Sequence, residues 1–341
     1  MNAMHRTAQS LQDRARIAVV IPCFRVKAHI GEVIAGLGQE VDAIYVIDDA
    51  CPEQTGAWVR AHLHDARLRV IEHDHNLGVG GAVMTGYRAA LAEGFDIVVK
   101  IDGDGQMDPA DLPRLVRPIV LGQADYCKGN RFFHPEDLSG MPLIRLLGNG
   151  ALSLLSKLST GYWQIFDPTN GYTAIHRLVV YRLPLQKISK RYFFETDMLF
   201  RLGLMNAKVT DIPMKSRYGN ETSQLNALAV IPEFFFKHLR NFTKRVIYQY
   251  YLRDMSIASM QLPLGLAAML SGAGFGLIKW RDAAQLHLES SAGTVMLAAL
   301  PIIMGFQLLM SFLSFDISQQ PQQALWPHLD AHDAQPPNRT A

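Results

Sequence analysis

Apolar positions along this chain follow two regimes. Over residues 17–129, short apolar runs alternate with amphipathic stretches. IAVVIP (17–22), AIYVID (43–48), RLRVIE (67–72), FDIVVKID (95–102) and ADYCKG (124–129) each have the length of a strand and end in turn-forming or charged residues. Between them, residues 30–37, 54–64 and 78–94 carry helical spacing. In the last of these, Ala82, Tyr87, Ala90 and Leu91 share one face. Another helix is expected to open at Pro109, where proline suits the first turn. This alternation predicts an α/β fold with a mostly parallel sheet covered on both faces. In such sheets ligands collect at the carboxyl ends of the strands.

The second regime is continuous. Residues 258–278 (ASMQLPLGLAAMLSGAGFGLI) and 292–315 (AGTVMLAALPIIMGFQLLMSFLSF) contain no charge. Each run reaches the roughly 20 residues a helix needs to cross the hydrocarbon of a bilayer. Two such runs split by one short loop, KWRDAAQLHLESS, read as a transmembrane hairpin, the alternative being two buried helices of a soluble domain. Before the first run stand Lys237, Arg240, Lys244, Arg245 and Arg253. In the loop, Lys279 and Arg281 are balanced by Asp282 and Glu289. The basic excess places the N-terminal part on the cytoplasmic side of the inner membrane, in a multi-pass protein. Over residues 230–253, Phe234, Phe235, Leu239, Phe242, Val246, Ile247 and Tyr250 recur at steps of three and four, with bases between. That spacing predicts a helix lying in the bilayer interface, its bases toward anionic headgroups. The expected organisation is a flexible tail (1–15), an α/β domain (16–225), an amphipathic juxtamembrane helix (226–256), the hairpin (257–316) and a polar C-terminal tail (317–341).

Bulk composition narrows this picture a little. In 341 residues, 33 Lys and Arg face 31 Asp and Glu, so no global field points to nucleic acid. Cys23, Cys51 and Cys127 are too scattered for a metal pattern or a disulfide framework, which suits a reducing compartment. The opening MNAMHRTAQSLQDRAR has no apolar stretch of the signal-peptide kind.

The candidate chemistry begins at KIDGDGQMD, residues 100–108. At extended spacing Asp102 and Asp104 project to one side, where their charges repel unless a cation lies between them. A calcium loop is excluded, because the position for its bidentate Glu is Pro113. A lone Asp-x-Asp reads as a solvated turn. However, Asp48 and Asp49 also fall at the carboxyl end of a strand, and that coincidence favours a site. NLGVGGAVMTG lacks the Gly-Lys-Ser/Thr ending of a phosphate loop, so a glycine-rich helix start packed near a nucleotide is the milder reading.

In order, VVIPCF, YVIDDACPEQTG, NLGVGGAVMTGY, VKIDGDGQMDP, KGNRF, DPTNGYTAI and FFETDMLFRL resemble the blocks of glycosyltransferase family 2. They are most similar to its polyprenyl-phosphate members of the dolichol-phosphate-mannose-synthase type, a membrane-anchored branch of which also carries two C-terminal spans. The resemblance implies a GT-A (Rossmann-like) fold and a hexosyltransferase. Its reaction would be inverting transfer from a UDP- or GDP-linked sugar to a polyprenyl phosphate at the bilayer. Asp102 and Asp104 then resemble the pair that holds Mg²⁺ or Mn²⁺ against the donor diphosphate. Pro22, Asp48, Asp49 and Gln106 correspond to nucleotide-sugar contacts. Arg131 and Arg217, with Arg145 as a third, resemble arginines that capture the acceptor phosphate. Asp167 and Glu195 stand where the family keeps acids near the reaction centre, so that Asp104, Arg131, Asp167 and Glu195 form the expected catalytic set. Membrane-anchored relatives leave room for a homo-oligomer.

The chain departs from the family at Pro22-Cys23-Phe24-Arg25-Val26, where Pro-x-Tyr-Asn-Glu is usual, and at Gln224, where a basic residue is usual. Donor identity therefore stays open. No QxxRW block of a processive synthase is present. The alternatives are transfer to a saccharide hydroxyl, which would require a general base, and a silent scaffold that only binds nucleotide sugar.

Overall fold

The computed structural model describes residues 15–133, 143–214, 227–287 and 289–329, with only the backbone of helix residues 143–147 and 227–230. It divides into two bodies. The first comprises residues 1–242 and 321–341 and the second residues 243–320.

All five strands read from the apolar runs form, as β1 (Ile17–Cys23), β2 (Ala43–Asp48), β3 (Leu68–Glu72), β4 (Ile97–Lys100) and β5 (Tyr126–Asn130). Two short strands complete the sheet, β6 (Thr173–His176) and β7 (Val209–Pro213), in the order β3-β2-β1-β4-β6-β5-β7. Every pairing is parallel except those of β6, which runs antiparallel between β4 and β5. Thr173 lies opposite both Lys100 and Lys128, so the three residues form one row across the sheet and project to the same face.

The flanking helices are α1 (Ile30–Ala35), α2 (Thr55–His62), α3 (Val79–Ala92), α4 (Leu112–Val120), α5 (Leu143–Thr160), α6 (Arg177–Arg182) and α7 (Phe194–Leu204). Strand residues alternate between the two layers of core. Val20, Tyr45 and Val98 pack with Tyr87, Phe194 and Leu199 on one side. Val19, Ile44 and Val99 pack with Ile30, Leu112 and Leu115 on the other. The three cysteines are free and buried.

The stretch expected to be a polar tail returns to the first body. Ala324 and Trp326 are buried, and Trp326 stacks on His176 at 4.1 Å between ring centroids. The fully buried Asp125 accepts hydrogen bonds from the backbone N–H groups of Leu325 (2.8 Å), Trp326 (2.8 Å) and Lys208 (2.7 Å). Ala324 and Trp326, with the partly buried Leu325 and Leu329, supply the apolar packing, and a buried carboxylate supplies acceptors for the incoming backbone.

Helix α8 (Ala227–Ile247) begins in the first body, and its boundary departs from the expected juxtamembrane unit. Its inward side is polar. His238 Nδ1 lies 2.8 Å from Ser159 Oγ, and Asn241 donates to Asp197 at 3.4 Å. Ile231, Phe235, Phe236 and Leu239 stay exposed.

In the second body, α9 (Ile257–Leu286) and α10 (Ala292–Ser318) are both long and apolar enough to cross a membrane. They pack through small residues: a Cβ on Gly305 would stand 2.6 Å from the carbonyl of Gly265, and one on Gly272 2.7 Å from that of Ala298. Arg245, expected to face headgroups, is instead buried against Asp316, with contacts of 2.6 and 3.0 Å. A guanidinium held bidentately by a buried acid is no longer available to lipid.

Candidate functional site

The carboxyl ends of β4, β5 and β7 converge on a cluster of charges. Lys100, the last residue of β4, is buried, and its Nζ lies 2.8 Å from Asp102 Oδ1 and 3.1 Å from Glu195 Oε1 at the start of α7. Burial alone would push this ammonium down, but the two carboxylates more than reverse that and hold its pKa above the ordinary range. Gly171 closes the cluster from the other side. A Cβ there would collide with Asp102 Oδ2 and Lys100 Nζ, so a larger residue at this position would have to displace the ion-paired ends of both side chains.

Beside it lies a second ion pair. Arg131 donates from Nε to Asp167 Oδ2 at 2.7 Å and from a terminal nitrogen to Oδ1 at 3.0 Å. Its backbone N–H also reaches Asp167, at 3.3 Å. Asp167 is buried while the Arg131 side chain keeps 28% of its surface exposed, so a buried acid orients a guanidinium that still reaches solvent. Underneath, buried Lys128 donates to the Asn170 carbonyl; burial lowers its pKa to about 8 against the raising fields of Asp167 and Glu195. Asp211 on β7 accepts from Asn130 Nδ2 (2.9 Å) and the Phe166 N–H (3.2 Å). Asn130 and Phe166 each precede a member of the Arg131–Asp167 pair, so one carboxylate holds both chain segments. Its other oxygen is buried with no hydrogen-bond partner among the described residues, and burial raises its pKa to about 6.

The ends of β1 and β2 form a third region. Pro22 and Cys23 pair with Ile47 and Asp48. Asp48 accepts from the N–H groups of Cys51 (2.7 Å) and Gly56 (2.6 Å), and so closes the loop before α2. Asp49 accepts from Leu77 (2.8 Å) and Gly78 (2.7 Å) and lies 2.8 Å from His73 Nδ1. Arg25, Ala50 and Gln54 all have positive φ (59°, 52° and 51°), a concentration of backbone strain at these two loops. The glycine-rich start of α3 does not present its amides to a phosphate: Gly80 and Gly81 donate to the Lys190 carbonyl at 2.8 and 3.3 Å. Asp104 accepts from the Gln106 N–H at 3.0 Å.

The structure thus gathers Asp102, Arg131, Asp167 and Glu195 near the carboxyl ends of β4 and β5, while Asp104 stands in the loop after β4. Arg145 belongs to α5, but its side chain lies outside the described residues, as does Arg217 altogether. Lys100, Lys128 and Asp211 were missed from sequence. The available signal was a lysine inside each of two apolar runs, FDIVVKID and ADYCKG, which a buried strand tolerates only when the charge has partners.

Among the described residues no group of three or more His, Cys, Asp or Glu is arranged to hold a metal ion. Asp102 and Asp104 supply hard oxygen donors, and Asp102 keeps 28% of its side chain exposed. Among the described residues, Lys100, Lys128 and Arg131 stand with the acids Asp102, Asp167, Glu195 and Asp211. The donor set fits Mg²⁺ or Mn²⁺ bound by one or two carboxylates with the rest of the shell from phosphate and water.

Comparison with known proteins identifies the family. The profile of Glycosyl transferase family 2 matches residues 18–183. The UDP-N-acetylglucosamine–dolichyl-phosphate N-acetylglucosaminyltransferase of Methanococcus voltae is 28% identical over 216 residues, 59% of this chain and 86% of the relative. The undecaprenyl-phosphate mannosyltransferase of Micrococcus luteus is 30% identical over 206 residues, 58% of this chain and 82% of the relative. Among solved structures, glucosyl-3-phosphoglycerate synthase from Mycobacterium tuberculosis, in complex with Mn²⁺, UDP and glucosyl-3-phosphoglycerate, superposes with a TM-score of 0.51 at 21% identity. The match covers 70% of this chain and 82% of that one, and the likeness bears out the GT-A expectation for the fold. The chain is an enzyme, and it belongs to glycosyltransferase family 2.

Proposed function

We propose that this enzyme transfers a sugar from a UDP- or GDP-linked donor to a polyprenyl phosphate, with inversion, at the cytoplasmic face of a membrane it spans twice. The observation that carries the reading is the Arg131–Asp167 fork beside the Asp102–Lys100–Glu195 cluster. A lipid phosphate with a second pKa near ~6 is already a dianion at neutral pH, so it needs an oriented cation rather than a strong base. Asp167 accepts from two guanidinium nitrogens of Arg131, which suits an orienting acid, not a proton acceptor. Glu195 in turn fixes Lys100, and Lys100 fixes Asp102.

Asp102 and Asp104 would hold the divalent cation, which when bound stabilises charge on the departing nucleotide diphosphate. Asp48 and Asp49 shape the strained loops that would enclose the nucleotide. A phosphate oxygen of the acceptor forms the new bond to the anomeric carbon as the bond from that carbon to the diphosphate breaks on the opposite face. The relatives that act on dolichyl and undecaprenyl phosphate, and the two long apolar helices, support a lipid acceptor.

The test is a transfer assay on membranes carrying the protein. Labelled UDP- and GDP-sugars are offered singly with undecaprenyl phosphate and Mn²⁺ or Mg²⁺, and label is counted in the organic phase. Organic-phase label that disappears with EDTA and with Asp104→Asn is expected. Label recovered only on a water-soluble saccharide would reject the lipid acceptor.

A further inference from the structure

The residues flanking the Arg131–Asp167 pair are aromatic and partly in water. Phe132 follows Arg131 and Phe166 precedes Asp167, and their rings meet edge to face at 5.6 Å and 72°. Arg131 lies 5.7 Å from the centre of the Phe132 ring, and Lys157 Nζ 5.6 Å from that of Phe166. Apolar side chains next to these in sequence are also exposed: Phe166 is 37% exposed, Phe133, which follows Phe132, 56%, and Leu154, one turn before Lys157 on α5, 52%. The rings are placed by backbone ties, since the Phe166 N–H donates to Asp211 and the Phe132 N–H to Asn130 Oδ1 at 2.9 Å. Lys157 makes no ion pair among the described residues.

A water-facing apolar shelf with cations at its edge matches an amphiphile whose anionic head adjoins an apolar tail. We propose that Phe132, Phe133, Phe166 and Leu154 seat the first units of the acceptor's prenyl chain, and that Lys157 assists Arg131 at its phosphate. This assignment rests on the acceptor class proposed above and adds its specificity determinant: the shelf is what separates a prenyl phosphate from a free phosphate. A soluble polar acceptor would leave the same rings wet and would need hydrogen-bonding groups in their place.

The test uses the full chain in detergent and compares binding of farnesyl phosphate, inorganic phosphate and dihexanoyl phosphatidic acid. The wild type should favour farnesyl phosphate over inorganic phosphate by at least about ten-fold. Phe133→Ser and Phe166→Ser should each weaken farnesyl phosphate by roughly five-fold, from the partial exposure of each ring. Binding of inorganic phosphate should stay unchanged in both variants, and Phe166→Leu should restore most of the loss. If both serine variants keep wild-type affinity for farnesyl phosphate while Arg131→Ala loses it, the shelf is overturned and the acceptor reading stands. If the wild type shows no preference for farnesyl over inorganic phosphate, both are overturned. Equal binding of the phosphatidic acid, with equal loss in the serine variants, would assign the shelf to bulk lipid and overturn the prenyl seat.

Discussion

Asp211→Asn isolates one buried carboxylate whose charge state the fold itself disfavours. Burial raises its pKa from 3.8 to about 6. An acid with a raised folded-state pKa contributes most when protonated; that contribution is fully present below the unfolded value and is lost as pH rises through about 6. The relative penalty grows from roughly 1 kcal/mol near pH 4.5 to roughly 3 kcal/mol near pH 8, a change of about 2 kcal/mol. In the asparagine variant the amide oxygen can still accept from Asn130 and Phe166, while the pH-dependent part vanishes. Thermal unfolding of the purified protein across this pH range, variant against wild type, cancels all other titrations. The melting temperature of the variant should gain on the wild type by about 4–8 °C between the two ends of the range. A difference that does not change with pH would refute the reasoning.

Four further substitutions probe the rest of the design. Lys100→Met leaves Asp102 and Glu195 without their shared cation and should cost about 3–5 kcal/mol, read as a lower melting temperature. Glu195→Gln, which keeps a hydrogen-bond acceptor for Lys100, should cost less than half of that, and an equal loss would count against the charge argument. Gly171→Ala forces a methyl into Asp102 and Lys100 and should destabilise by about 1–3 kcal/mol while weakening Mn²⁺ binding measured by titration; unchanged metal affinity would show that the two acids do not depend on this packing. Trp326→Ala removes the ring stacked on His176 and should lower stability by about 3 kcal/mol, whereas no change in melting would show that the C-terminal return adds nothing to the core.

β1 and β2 were legible because they are buried and read as unbroken apolar runs, IAVVIP and AIYVID, while RLRVIE, FDIVVKID and ADYCKG kept enough apolar positions at strand length to mark β3, β4 and β5 despite their charges. TAIH and VTDIP were not legible as β6 and β7. Four or five residues carry too little periodicity, and the antiparallel insertion of β6 depends on partners 73 residues away in register, as for Lys100 and Thr173. The site followed the same division. Asp102 and Asp104 announce themselves by local spacing, and Arg131 and Asp167 by their blocks. Lys100, by contrast, acquires meaning only from Glu195, 95 residues on. The polar underside of α8 was hidden for a similar reason. The apolar positions there were read as the face lying in the bilayer interface, while His238 and Asn241 found buried partners that no helical period reveals.

The clasp between Asp125 and the backbone of Leu325 and Trp326 also constrains topology by simple parity. A chain that leaves a folded body, runs through the apolar pair and rejoins the same body can traverse a bilayer only an even number of times. One crossing, or three, would strand the returning segment on the far side from its carboxylate. If the apolar pair crosses a bilayer, the basic flank ahead of α9 and this clasp, 200 residues in span, would both act on sidedness, and the clasp is insensitive to ionic strength. It also means that a single proteolytic cut at either junction would nick the enzyme without releasing its catalytic body.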